Sequence, residues 1–218
     1  MNTKEKIILE ATKAFNKNSF GAVSLHEIAN QLGISRGNLT YHFKDKDLLL
    51  EAISDQMWQK IEAERAKSRK LPSFENLHNE VQLYMKFQKE YAFIFLDNHV
   101  LNHSKIKKQF RDMMNTTIRD NKAAIAFAIQ LGNMKPEPIP GLYNNLAFNT
   151  WMISFFWKSQ QMIRGEKNQK DGEKLLWSLI IPHLTEKGIK SFKNFFGADY
   201  LKKLGEPFEI DINSMIAF

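Results

Sequence analysis

Residues 24–43 read SLHEIANQLGISRGNLTYHF, and their spacing decides the fold of the first third of the chain. Ser24 followed three residues later by Glu27 is a capping box, the signature of a helix start. The helix it opens presents Leu25, Ile28, Ala29 and Leu32 and stops at Gly33, the usual residue for a left-handed cap. Ser35 caps a third, short helix through Phe43. Two helices crossing at a steep angle need a small residue where they touch, which Ala29 supplies, and a tight turn, which Gly33 permits. Ile28, Leu32, Ile34 and Leu39 have the spacing to close a small core. The second helix then stands free to enter a major groove, N-terminal end first, offering Ser35, Arg36, Gly37, Asn38, Thr40, Tyr41 and His42. No carboxylate falls between Glu27 and Asp45, as contact with a polyanion requires. Three-helix units of this pattern also occur without DNA binding, so the spacing alone leaves a packing role open.

On the N-terminal side, Ile7, Ile8, Ala11, Ala14 and Phe15 form one apolar stripe of a helix capped by Asn2 or Thr3. Asn16–Gly21 breaks the pattern. On the C-terminal side a long helix begins after Asp45, with Leu48, Leu49, Ala52, Ile53 and Ile61 on one face, and runs to about Lys70 before Leu71-Pro72. Helices are then expected over 74–90, 91–101, 104–131, 141–165, 170–186 and 189–196, with Pro182 kinking the penultimate one. Gly205 to Phe218 alternates apolar and acidic residues as a short extended tail would. The fold class is all-α: an N-terminal three-helix helix-turn-helix unit, residues 1–47, followed by a larger helical domain, residues 48–218, with 48–70 as the connecting helix.

Composition agrees. The 218 residues are 43% apolar and 25% charged, a globular balance, and 6 Pro with 10 Gly are too few for a turn-rich β fold. Absence of cysteine excludes disulfides, Cys-ligated metals and a Cys nucleophile. No run of about 18 apolar residues spans a membrane, and the charged first 20 residues do not read as a secretory signal, so a cytoplasmic location is expected. The net charge of +7 suits a polyanionic partner. Its distribution adds nothing, because residues 1–70 carry 12 Lys and Arg against 9 Asp and Glu and the rest 19 against 15. A nucleic-acid assignment therefore rests on the motif.

The motif resembles the DNA-binding domain of the tetracycline-repressor (TetR) family. The match runs from Ile8-Leu9-Glu10-Ala11 and Phe15 through Ser24, Ile28-Ala29, Leu32-Gly33-Ile34-Ser35, Gly37 and Leu39. It ends on Tyr41-His42-Phe43-Lys44-Asp45-Lys46-Asp47-Leu48-Leu49. The resemblance implies that Tyr41 and His42 reach phosphate oxygens, that Lys46 clamps the DNA backbone and that Ser24 contacts phosphate at a helix N-terminus. It also implies that Arg36, Asn38 and Thr40, behind the cap Ser35, face base edges. Thr40 departs from the family's commonest pattern, which has tyrosine there, and is read as a change of specificity. A packed His42 and a solvated Lys46 are the alternatives.

The resemblance further implies that the larger domain binds a small molecule and forms a homodimer. Most of its large apolar residues must be core, but helical bundles place ligands between helices. Tyr84, Phe87, Phe110, Met114, Trp151 and Phe155 are the candidate cavity wall, which favours a small apolar or aromatic effector. No cofactor is expected. The helices near 141–165 and 170–186 are apolar on more than one face, as a dimer interface on a palindromic operator requires. The expected function is a ligand-responsive DNA-binding regulator, a repressor whose effector swings the two heads out of register with the operator. Two alternatives stand beside it. One is a helical metal enzyme using His99 and His103, at metal-ligand spacing, with His78 as a third ligand; the other is a DNA-binding protein without an effector.

Overall fold

A computed structural model describes residues 2–68, 72–164 and 171–205. The order is α1 (Thr3–Asn18), α2 (Leu25–Gln31), α3 (Arg36–His42), α4 (Lys46–Ser68), α5 (Phe74–Glu90), α6 (Ala92–Leu96) and α7 (Asn98–Asn102). There follow α8 (Ser104–Gln130), α9 (Leu142–Arg164), α10 (Asp171–Ile180), a 3-10 turn (Ile181–His183), α11 (Glu186–Phe196) and α12 (Ala198–Leu204). No strand occurs among the described residues, and none of their helices is long and apolar enough to cross a membrane. The chain is all-α.

The first three helices form where the local signals put them. Asn2 caps α1 and exchanges hydrogen bonds with Glu5, and Ile7, Ala11 and Phe15 beneath it are fully buried. The α4 stripe lies one residue on from the expected one. Leu49, Leu50, Ile53, Met57 and Ile61 are fully buried, whereas Leu48 is exposed. The head is tied to the body at α1. Asn16 Nδ2 donates to the Glu90 carbonyl at 2.7 Å and its Oδ1 accepts from Phe93 N–H at 3.1 Å, while Phe15 packs on Phe93 with ring centroids 5.2 Å apart.

Three departures from the expected helices have local causes. The 91–101 helix is two, because the Asp97 carboxylate accepts from His99 N–H at 2.9 Å and restarts the chain as α7. The 170–186 helix is ended rather than kinked: α10 stops at Ile180, and Pro182, which has no N–H, sits in the 3-10 turn. Thr185 then caps α11 by accepting from Gly188 N–H at 3.1 Å, so α11 starts earlier than 189, and α12 follows where no helix was expected. Of the expected extended tail only Gly205 lies among the described residues.

Candidate nucleic-acid interface and body cavity

The head is built from its caps inward. Glu27 N–H donates to Ser24 Oγ at 3.2 Å while Glu27 Oε2 accepts from Ser24 N–H at 2.6 Å, which fixes the start of α2. Hydrogen bonds from Ser24, the backbone one first, hold the Glu27 carboxyl below its ordinary value. An ionised Glu27 thus stays beside that helix end and reduces its attraction for phosphate. Ala29 and Ile28 are fully buried at the α2–α3 crossing, and the turn closes with Ile34 N–H on the Ala29 carbonyl at 3.0 Å. Gly33 has φ +66°, the left-handed value that the turn requires. Ser35 accepts from Asn38 N–H at 3.1 Å and starts α3, whose only buried residue is Leu39.

The rest of α3 faces outward. Arg36, Gly37 and Asn38 are exposed, and Tyr41 is 86% exposed, an unusual position for a large aromatic residue. His42 is half-buried with its ring edge-on to Tyr41, centroids 5.3 Å apart. Thr40 Oγ1 lies 3.0 Å from the Arg36 carbonyl and 3.2 Å from that of Gly37, so its hydrogen is spent on its own helix. Its methyl and the lone pairs of Oγ1 remain for a partner.

Lys46 is placed differently from the expected phosphate clamp. Its Nζ donates to the carbonyls of Phe20 at 2.6 Å and Val23 at 2.8 Å and stands 4.4 Å from the centre of the Phe20 ring. Burial lowers its pKa, against the pull of Asp47, Asp97 and Glu27. The ammonium is used inward because the loop before α2 leaves carbonyls without helical partners. Lys46→Met is expected to lower stability by about 1–3 kcal/mol, the range for losing charged hydrogen bonds and orphaning carbonyls. Urea unfolding would register that loss, and the salt dependence of DNA binding should not change. Lys4 Nζ lies 5.6 Å from the centre of the Phe43 ring, beside the end of α3. Only the fold brings those two residues together.

The metal-ligand alternative fails on geometry. The α7 helix ends at Asn102, so His103 is outside the register that would align it with His99. The His99 ring stacks on Phe20 at 5.9 Å, and His78 pairs with Glu173 instead. No cluster of three or more His, Cys, Asp or Glu suited to a metal occurs among the described residues.

Of the six expected wall residues, Tyr84, Phe87, Trp151 and Phe155 are buried core, and Phe110 and Met114 are half-buried against it. Tyr84 and Phe155 pack with tilted rings, centroids 4.5 Å apart, Trp151 lies 5.8 Å from Phe155, and Phe110 meets Trp58 and Phe95 at 5.2 and 5.3 Å. Phe87 stacks on Tyr91 at 5.9 Å and Met114 packs against the same cluster. Aromatic edges packed on one another fill much of the space between these helices. A cavity of about 580 Å³ lies elsewhere in the body, and none of the six lines it. Its cause is the run of small residues on α8: Ala123, Ala124 and Ala128 do not reach across to Leu77, Leu146 and Trp177. One side of the wall is charged, formed by Arg65 of α4, Glu80 of α5 and Asp120 of α8.

An exposed, acid-free recognition helix on a tight turn, joined to a helical body with an internal cavity, defines a helix-turn-helix regulator. Comparison with known proteins gives the family. The model described as bacterial regulatory proteins of the tetR family matches residues 7–53, and the TetR model described as a bacterial transcriptional repressor matches residues 53–192. The chain belongs to the TetR family of bacterial transcriptional regulators, and is a DNA-binding protein of repressor type rather than an enzyme. It is 25% identical over 139 residues to the HTH-type regulator YhgD of Bacillus subtilis, covering 61% of this chain and 73% of that one. It is 37% identical over 93 residues to the HTH-type regulator QacR of Staphylococcus aureus, covering 40% and 48%. Among solved structures, a TetR-family regulator from Marinobacter aquaeolei superposes with a TM-score of 0.78 at 21% identity, over 94% of this chain and 99% of the other. AibR, in complex with isovaleryl coenzyme A and operator DNA, gives 0.62 at 16% identity over 82% and 98%. The SmeT–triclosan complex gives 0.63 at 16% over 84% and 92%. At these identities the structures establish the fold alone.

Proposed function

We propose that the chain is a homodimeric repressor in which residues 1–47 read a palindromic operator and residues 48–218 carry the dimer interface and an effector site. The observation that carries the reading is the exposed α3 surface. Arg36 and Asn38 offer the two side chains best suited to guanine and adenine edges, and Tyr41, with His42 beside it, is placed to reach phosphate. Thr40 offers its methyl to a thymine. The effector site is the cavity against α8, not the aromatic cluster first expected, and the complexes of AibR with isovaleryl coenzyme A and SmeT with triclosan support ligand binding within this fold. For dimerisation, the support is a stripe on α9. Phe148, Met152 and Phe156, at i, i+4 and i+8, are 41%, 44% and 41% exposed, whereas Trp151 and Trp157 of the same helix are buried.

The test is a titration of the purified protein against DNA upstream of its own gene, at two salt concentrations, with excess nonspecific competitor. Selective binding with two chains per site is expected. Tyr41→Ala should weaken binding to every duplex by about ten-fold without altering its salt slope, since a neutral donor releases no counterion. Asn38→Ala should cost about 1–3 kcal/mol on the operator and relax preference at one base pair. Binding that the competitor abolishes, or Tyr41 and Asn38 variants that bind like the parent, would overturn the assignment.

A further inference from the structure

The head meets the body at one end of α1, where Asn16 bonds the Glu90 carbonyl and the Phe93 N–H and Phe15 packs on Phe93. Lys4 stands in the first turn of the same helix, about 18 Å from Asn16 by helical rise. It precedes Ile7 and Ile8 by three and four positions, so it continues the buried stripe of α1 past the end of the core, and it is itself exposed. Its Nζ lies 5.6 Å from the centre of the Phe43 ring. Phe43 is buried, caps the C-terminal end of α3 and directly follows Tyr41 and His42. The outgoing end of the exposed helix and the end of α1 remote from the body thus form one corner.

The charges at this corner differ in what they are free to do. Lys46 is spent on the Phe20 and Val23 carbonyls. Glu5 accepts from the Asn2 N–H at 2.9 Å and Asp45 from the Leu48 N–H at 2.8 Å, each at a helix start, while Asp47 acts on Lys46. Among the described residues none of these acids pairs with Lys4. Lys44, one residue beyond Phe43, is exposed as well. Lys4, Lys44 and Lys46 together balance Glu5, Asp45 and Asp47, so the corner has no net field, and only a direct contact gives Lys4 a role. The Phe43 ring prepares one. An aromatic face attracts an ammonium without cancelling its charge or occupying its N–H donors, so Lys4 is held in place and still free to bind an anion.

A recognition helix that enters the major groove by its N-terminal end carries its C-terminal end out towards the strand that bounds the groove. We propose that Lys4, steadied by the Phe43 ring, contacts a DNA phosphate beside the end of α3 and supplies the cationic backbone contact that Lys46, turned inward, does not. The inference rests on the reading of α3 as the helix that enters the groove, and it adds to that interface a residue of another helix. Two helices then grip one strand, Tyr41 from α3 and Lys4 from α1. That fixes the tilt of α3 in the groove without reading sequence.

The experiment follows binding of the full chain to DNA upstream of its own gene, and to a random-sequence duplex of equal length, by fluorescence anisotropy at several salt concentrations. Lys4→Met keeps an apolar stem on Phe43 and removes the charge, and Lys4→Arg keeps the charge. Lys6→Met removes an exposed charge from the same helix, off the buried stripe. Melting curves confirm that each variant is folded. Lys4→Met should make the salt slope shallower by about 0.9 per head, about 1.8 for two chains on one site. Parent and variant then differ about twelve-fold more at 50 mM than at 200 mM salt. The ratio of upstream to random affinity should stay within about two-fold, since a phosphate contact carries no sequence information. Lys4→Arg and Lys6→Met should keep the parent's slope. Tyr41→Ala and Asn38→Ala report on α3 separately. If they impair binding but Lys4→Met keeps the parent's slope, or Lys6→Met loses as much of it, the Lys4 contact is overturned and α3 stands as the reading helix. If the two α3 variants bind like the parent, or neither duplex is bound, the reading of α3 fails and the inference fails with it.

Discussion

Arg65→Met is expected to destabilise the protein by about 3 kcal/mol, the lower end of the cost of stripping one partner from a buried ion pair. The side chain fits by volume, so packing is not the main loss. The cost comes from Glu80 and Asp120, left facing each other across the space that the guanidinium held, each hydrogen-bonded to it at about 3 Å in the parent. Asp120 keeps 40% of its side chain in water and Arg119 Nη2 at 3.3 Å, which is why the upper end of the range is not reached. The defect has a sign in pH. Glu80 already has a folded pKa above its unfolded one, so it contributes stability below the ordinary carboxylate value and loses it as pH rises through the raised value. Removing Arg65 raises that folded value further. The variant should therefore lie furthest below the parent at neutral pH and approach it in acid. Chemical denaturation at pH 4.5 and 7.5 measures the two gaps, and adding Glu80→Gln to Arg65→Met should recover much of the neutral-pH loss. A gap independent of pH, unrelieved by Glu80→Gln, would show that Arg65 acts through packing alone.

The same residue shows where sequence reading reaches and where it stops. The head was legible because every determinant is local: the Ser24–Glu27 box, Ala29 at the crossing, Gly33 at positive φ and Ser35 as a cap all act within a few residues of themselves. Arg65 was readable in part, since it continues the buried series Leu50, Ile53, Met57 and Ile61 at helical spacing, and a cation on an apolar stripe needs buried acids. Which acids would meet it depends on how α5 and α8 pack, and that is set by shape over long range. The cavity escaped for the same reason. Large aromatic residues suggested its wall, yet Tyr84, Phe110 and Phe155 fill space, while the alanines of α8 make it. Lys46 was misplaced because a phosphate and a set of orphaned carbonyls ask for the same ammonium, and only the course of residues 20–23 decides between them.

Gly188→Ala is the second large effect, and it separates two reasons for needing glycine. At Gly33 the backbone itself is the constraint: φ is +66°, no atom lies within 4 Å of where a Cβ would stand, and alanine there costs about 1–2 kcal/mol of left-handed strain. Gly188 sits in the first turn of α11 with an ordinary helical backbone, where alanine would normally stabilise. Its Cβ, however, would fall 2.0 Å from the Asn133 carbonyl oxygen, a backbone atom with no rotamer to change. That oxygen is already the acceptor for Thr185 N–H at 3.0 Å, and Thr185 Oγ1 donates to the Gly132 carbonyl at 2.6 Å. To admit one methyl group, α11 must back away from residues 132–134 and stretch both bonds, along with the bridge between Met134 and Leu184. The expected loss is about 3 kcal/mol or somewhat more, above the usual overpacking cost because rigid backbone gives way on both sides. Asn133, Met134 and Leu184 also line the cavity, so the displacement opens one of its walls. Gly188→Ala should therefore lower the melting temperature well beyond Gly33→Ala and weaken binding of a neutral fluorescent probe, N-phenyl-1-naphthylamine, in the cavity. Gly33→Ala, which disturbs only the head, should spare the probe and impair DNA binding. Equal effects of the two substitutions on probe affinity would mean that the contact of α11 with residues 132–134 does not shape the cavity.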